Sequence, residues 1–148
     1  MTELLQIIII LPAIIGYLAG NLCKVQQTSG ESVKYRPPPK VFGIVWAILY
    51  FLLGLSWYYA IKSTFDKNIL FMIILFYILL NIALCSWIYL YSCKKQKIVA
   101  IYSLAISFTF ALLCYTVGDL YSKLLIVPLI GWLFFATLIN VGEILEIK

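Results

Sequence analysis

Residues 35–54 read YRPPPKVFGIVWAILYFLLG. Three prolines, Pro37 to Pro39, close a polar segment, and an uncharged run carrying Trp46 and Tyr50 follows at once. Proline favours extended polyproline geometry and disfavours helix in the residue before it. It is tolerated in the first turn of a helix, where its missing N–H has no intrahelical partner to lose. The triplet therefore predicts a stiff entry that fixes the direction of Phe42, Trp46 and Tyr50. An ordinary interfacial turn is the other reading of the same residues.

The run after the prolines is one of five uncharged blocks: 4–23, 41–61, 68–93, 98–118 and 124–142. Each reaches or approaches the roughly 20 residues that cross about 30 Å of hydrocarbon. A charge at mid-bilayer costs about 2.5–3.5 kcal/mol, so gaps of this length select for membrane insertion. The chain of 148 residues is 64% hydrophobic and 11% charged, against about 25% charged in soluble domains. The pattern predicts an all-α integral membrane protein, a single domain of five transmembrane helices with one long loop, 24–40. The first block follows Met-Thr-Glu, acidic where a cleaved signal peptide needs basic residues, so it is read as a span. The other connections are short, which predicts that consecutive helices are antiparallel neighbours.

The net charge of +5 comes from residues beside helix ends, which is not a nucleic-acid-binding surface. Lys24, Lys34, Arg36, Lys40, Lys94, Lys95, Lys97 and Lys148 fall on one side, and Lys62, Lys67 and Lys123 on the other. Cytoplasmic loops collect Lys and Arg, so loop 1, loop 3 and the C-terminus are expected to face the cytoplasm. A bacterial inner membrane, a mitochondrial outer membrane and another intracellular membrane all fit. The chain has no histidine, and its cysteines, Cys23, Cys85, Cys93 and Cys114, form no CxxC pair. They are read as small packing residues, with no metal and no cofactor expected.

On the second span Phe42, Trp46, Tyr50, Leu53 and Trp57 recur at helical spacing and share a face. Trp57, near the end, also suits an interfacial belt. Trp46 and Tyr50 lie deeper and need partners for N–H and O–H, from a ligand or from another helix. On the third span Asn81 sits mid-membrane, as interhelical glue or a ligand contact. Ser103, Ser107, Ala111 and Cys114 make a small stripe on the fourth, suited to close packing. Gly16 and Gly20 on the first form a GxxxG, read as packing inside the bundle. On the fifth, Trp132, Ala136 and Asn140 stack at four-residue steps beside Phe135 and Ile139, offering an aromatic platform, a gap and an amide.

PPPKVFGIVWAILYFLLG resembles the pattern PPxWxFxxxWxxLYxxxG, and PLIGWLFFATLIN resembles PxxxWxxFAxxLN. Both patterns belong to the translocator protein family, also called tryptophan-rich sensory protein or peripheral benzodiazepine receptor. The resemblance implies a five-helix bundle, usually a homodimer, in which loop 1 covers a pocket for porphyrins and synthetic benzodiazepine-site ligands. By motif, the pocket residues it implies are Trp46, Tyr50, Asn81, Trp132, Phe135, Ala136 and Ile139, with Phe42 on the same face and Asn140 structural. Leu84 stands where the family's third helix carries tryptophan, and Trp87 comes later. Val141 and Leu145 stand where the animal cholesterol motif needs Tyr and a basic residue, so cholesterol binding by that motif is not expected.

The uncharged spans offer few groups for acid–base catalysis or ion-coupled pumping, and no catalytic residue is assigned. The leading reading is a receptor or carrier for porphyrins or similar flat hydrophobic molecules. The alternatives are a light-dependent porphyrin-degrading enzyme, using indoles that need no proton transfer, and a structural or regulatory membrane partner.

Overall fold

A computed structural model of the chain describes residues 2–26 and 28–146, with side chains from residue 5 to 145. Lys148, one member of the charge count, lies outside these. Five helices follow in order: α1 (Thr2–Leu22), α2 (Pro39–Lys62), α3 (Lys67–Ile88), α4 (Lys97–Val117) and α5 (Leu120–Glu146). A one-turn π segment, Tyr89–Cys93, continues α3. All five helices are long and apolar enough to cross a membrane, and no strand occurs among the described residues. This is a multi-pass integral membrane protein.

The proline triplet does what its chemistry predicts. Pro38 is extended, with φ −53° and ψ 145°, and Pro39 opens α2. The Phe42 N–H donates to the Pro38 carbonyl (3.1 Å), which starts the helical ladder. Asp66 caps α3 by accepting from Asn68 and Ile69, and Asp119 accepts from Tyr121 and Ser122 at the start of α5. These bonds satisfy N–H groups that have no partner inside the helix.

Around the bundle the order is α1, α2, α5, α4, α3, with α3 closing the ring on α1. Consecutive helices are neighbours except α2 and α3, which touch only lightly, contrary to the expectation from short connections. Large rings hold their backbones apart and bridge the centre. Trp46 stacks on Trp87 at 5.4 Å, and Trp57 on Tyr77 at 5.5 Å and 5°. Trp57 is thus a buried core residue and not part of an interfacial belt.

Towards the end that carries loop 2 (residues 63–66, between α2 and α3), Ser56 donates to the Ser122 carbonyl (2.8 Å). Its proton is thereby committed, so the Tyr77 hydroxyl donates to Ser56 Oγ (2.6 Å). This buried set ties α2, α3 and α5 where no water is available to satisfy hydroxyls. The small stripe on α4 packs as expected: Ser103, Ser107, Ala111 and Cys114 are all buried, and Ser103 donates to the Ala83 carbonyl of α3 (2.8 Å).

α1 is the outermost helix, with 11% of its span buried against 33% for each other span. Its seat on α2 depends on two glycines. A Cβ at Gly54 would run into the Ile9 carbonyl, and one at Gly16 would meet the Tyr50 ring at 2.6 Å. Gly16 of the GxxxG therefore packs inside the bundle, whereas Gly20 has nothing within 4 Å of a Cβ. Gly54→Ala should push α1 off α2 and lower the apparent Tm in detergent, at a cost of about 1–3 kcal/mol. Gly131→Ala, where a Cβ meets nothing within 4 Å, should leave Tm unchanged or raise it. Equal effects at the two positions would contradict this account of the α1–α2 contact.

Candidate functional site

At the opposite end, loop 1 folds down onto α5 as a series of turns. Ser29, Glu31, Val33 and Arg36 each donate to the carbonyl three residues back, at 3.0–3.1 Å. Gly142 makes room for it, since a Cβ there would meet the Tyr35 hydroxyl at 2.6 Å and Val33 at 3.4 Å. The Tyr35 hydroxyl donates to the Leu138 carbonyl (3.0 Å), and its ring packs on Phe135. Gly30 takes φ +73°, a conformation other residues rarely adopt, and points its N–H at Glu143 Oε1 (3.1 Å).

Glu143 is the centre of this contact. Its carboxylate also pairs with Lys97 at the start of α4 (2.7 Å) and accepts from the Tyr91 hydroxyl of the π segment (2.7 Å). The sequence reading ended the fifth span at Gly142 and placed no ionised group inside a span. α5 in fact runs on through Glu143, which is buried. Its three partners are the reason a charge is tolerated there.

Beneath loop 1 lies a cavity of about 410 Å³ between α1, α2 and α3. Gly16, Gly20, Phe42, Trp46, Tyr50, Trp87 and Ile88 form its walls, and Arg36 and Lys40 contribute cationic side chains. Trp46 is its anchor. It stacks on Trp87, lies 5.7 Å from Tyr50, and meets Trp132 edge-on at 6.4 Å. Trp46 Nε1, Tyr50 Oη and Trp132 Nε1 are buried without a hydrogen-bond partner among the described residues. No interhelical bond supplies what Trp46 and Tyr50 need, so their donors go unused in the wall of an apolar space.

The candidate residues divide between places. Phe42, Trp46 and Tyr50 line this cavity. Trp132 stands behind Phe42 (5.3 Å), and Phe135 stands behind Trp132 (5.5 Å). Ala136 is fully buried in the packed core, and Ile139 borders a slot of about 20 Å³ with Phe42, Trp87 and Asn140. Asn81 lines a different, more apolar cleft of about 440 Å³ with Leu11, Ile15, Trp57 and Cys85. There its Nδ2 donates to the Tyr77 carbonyl (2.8 Å), and its Oδ1 has no partner among the described residues. Asn140 is structural: it accepts from Trp87 Nε1 at a long 3.5 Å and donates to the Ala136 carbonyl.

The two proline- and tryptophan-bearing motifs thus meet through Trp46 of α2 edge-on to Trp132 of α5, the α2 motif lining the cavity and the α5 motif standing behind it. The TspO/MBR family model matches residues 8–145, nearly the whole chain. The chain belongs to the TspO/MBR family. No curated protein matches it.

In this TspO/MBR chain, Trp87 takes the inward position that Leu84 leaves without an aromatic ring. It is also sandwiched by Tyr91 at 5.6 Å. Six residues after Asn81 it sits about 120° round the helix from that amide, so spacing from Asn81 did not flag it. Glu143 continues the Trp132, Ala136, Asn140 stripe by a further three residues. The cysteines need a correction: Cys23 and Cys93 are not mere packing residues but form a disulfide. α3 closes the ring on α1, and the wider π turn re-aims the last residues of α3, so two positions distant in sequence meet.

Lys97→Met leaves Glu143 buried with two neutral donors. It should destabilise by about 1–3 kcal/mol, near the lower end because Lys97 is 34% exposed. Lys97→Met with Glu143→Gln should cost less than Lys97→Met alone, measured by denaturation in detergent. Simple additivity of the two single changes would contradict the ion-pair account.

Proposed function

We propose that this protein is a membrane receptor or carrier whose cavity beneath loop 1 binds a porphyrin or a similarly flat, carboxylate-bearing aromatic molecule. Family membership supports tetrapyrrole or sterol binding in general. The observation that carries the finer reading is the pair of unpartnered donors, Trp46 Nε1 and Tyr50 Oη, in an aromatic wall beside Arg36 and Lys40. A buried polar group without a partner costs about 1–3 kcal/mol, which an acceptor on the ligand relieves. Stacked indoles suit a flat π system, and the two cationic side chains suit its acid groups. A sterol, with one hydroxyl, answers neither feature as well. The cavity size falls within the range of about 300–1,000 Å³ usual for small-molecule sites. The excess of Lys and Arg supports a cytoplasmic position for this face. A homodimer remains part of the proposal on family grounds.

Light-driven breakdown of the bound porphyrin is a second reading, favoured by the Trp46–Trp87 stack with Trp132 edge-on. One titration tests both. Protoporphyrin IX added to the purified protein in darkness should quench tryptophan fluorescence saturably, and illumination should yield new products only under the second reading. Gly20→Leu adds bulk at a cavity position where a Cβ meets nothing within 4 Å, and should weaken binding roughly 5- to 150-fold, for about 1–3 kcal/mol. Lys40→Gln should weaken protoporphyrin roughly 2- to 5-fold and leave its dimethyl ester unaffected, as an exposed ion pair of about 0.5–1 kcal/mol implies. Unchanged affinity in Gly20→Leu, with folding intact, would remove the ligand from this cavity.

A further inference from the structure

The Cys23–Cys93 disulfide joins Cα atoms 5.2 Å apart at the end of the bundle that carries loop 1. Cys23 follows the last residue of α1 and leads into loop 1, and Cys93 closes the π segment. Val25 and Gln26, just beyond Cys23, line the cavity beneath loop 1, as does Ile88, just before the π segment. The bond therefore crosses the seam between α1 and α3, where the helices themselves touch only lightly. The same π turn supplies Tyr91, whose hydroxyl holds Glu143, which in turn holds Gly30. Loop 1 is thus tied twice to one turn of helix: covalently at its start and through Glu143 at its middle.

The two sulfurs are not equally accessible. Cys23 is 7% exposed, whereas Cys93 lies open to solvent. The excess of basic residues argues that this face meets the cytoplasm, where glutathione keeps thiols reduced and the disulfides that do form are mostly transient or redox-sensing. A bond placed between an exposed and a buried cysteine, across the mouth of a cavity, suits that use. We propose that Cys23–Cys93 is a reversible redox latch: oxidised, it holds the end of α1 and loop 1 against α3; reduced, it frees them and speeds ligand exchange.

The reductant is a monothiol of the glutathione class. Its thiolate attacks Cys93 Sγ, the Cys93–Cys23 bond breaks, and Cys23 leaves as a thiolate that takes up a proton. A second glutathione thiolate attacks the glutathione sulfur of the mixed disulfide, releasing Cys93, which is likewise protonated. Two glutathiones have then become one glutathione disulfide, and one cystine has become two thiols. Oxidation reverses the sequence.

The ligand-exchange part rests on the binding reading above, while the latch itself does not. The test uses the full chain in lipid nanodiscs, in a Cys85→Ser/Cys114→Ser background so that only the latch cysteines report. Samples are equilibrated in glutathione buffers from reducing to oxidising. Maleimide mass shift counts free thiols, amide hydrogen exchange follows residues 28–36, and protoporphyrin IX dissociation is timed in the same samples. The bond should open and reclose across these buffers, with loop 1 exchange and porphyrin dissociation each several-fold faster in the open state. Adding Cys23→Ser with Cys93→Ser should show the open behaviour in every buffer. A bond that stays closed in reducing glutathione, or that opens without loosening loop 1, would overturn the latch. Loosening of loop 1 with no porphyrin bound in either state would uphold the latch and overturn the ligand reading.

Discussion

Glu143 puts a carboxylate that is only 4% exposed at the loop 1 end of α5, and a charge so placed costs several kcal/mol unless it is fully paired. Its partners come from three different parts of the chain: Lys97 opening α4, Tyr91 in the π segment after α3, and the Gly30 N–H in loop 1. Satisfying one buried charge therefore fixes where α3, α4 and α5 stand at that end, and draws loop 1 across them. Gly30 is possible there because it accepts positive φ, and Gly142 because it has no Cβ for Tyr35 to meet. Replacing Lys97, Tyr91 or the Gly30 contact takes a partner from a carboxylate that is almost fully buried.

The two ends of the bundle are built for different purposes. Towards loop 2, Ser56, Tyr77 and Ser122 use up one another's hydrogen-bonding capacity, and Trp57 lies flat on Tyr77 with its Nε1 buried and without a partner among the described residues. Towards loop 1, the indoles of Trp46 and Trp132 and the hydroxyl of Tyr50 are buried with their donors unused. Gly20 leaves space there, with nothing within 4 Å of a Cβ. Aromatic walls, unused donors and the cationic side chains of Arg36 and Lys40 come together beneath loop 1, which is the chemistry of a binding site, and loop 1 is the segment that covers it.

Much of this was legible in the sequence, for reasons of solvent. Five uncharged blocks state the helix count because a bilayer tolerates little else, and the proline triplet states where α2 begins. The α2 face was legible too, since Phe42, Trp46, Tyr50 and Trp57 obey the helical period. What stayed hidden depends on contacts between distant segments. Glu143 looked like the end of a span, because only the fold supplies Lys97, Tyr91 and Gly30 to neutralise it. Cys23 and Cys93 looked like packing residues, because their approach needs α3 to close on α1 and a π turn to re-aim Cys93. Asn81 and Trp46 looked like parts of one site, but the rings that hold α2 and α3 apart also leave them in separate cavities.

The central claim is that the Glu143 carboxylate holds loop 1 down over the aromatic cavity. Hydrogen exchange at the Gly30 amide, compared between the native chain and Glu143→Leu in lipid nanodiscs, reads that bond directly. The account predicts a protected Gly30 amide in the native protein. In Glu143→Leu it predicts exchange at the rate of the exposed loop residues, with the Ser56–Tyr77–Ser122 end still protected. A Gly30 amide that exchanges equally fast in both proteins would contradict it.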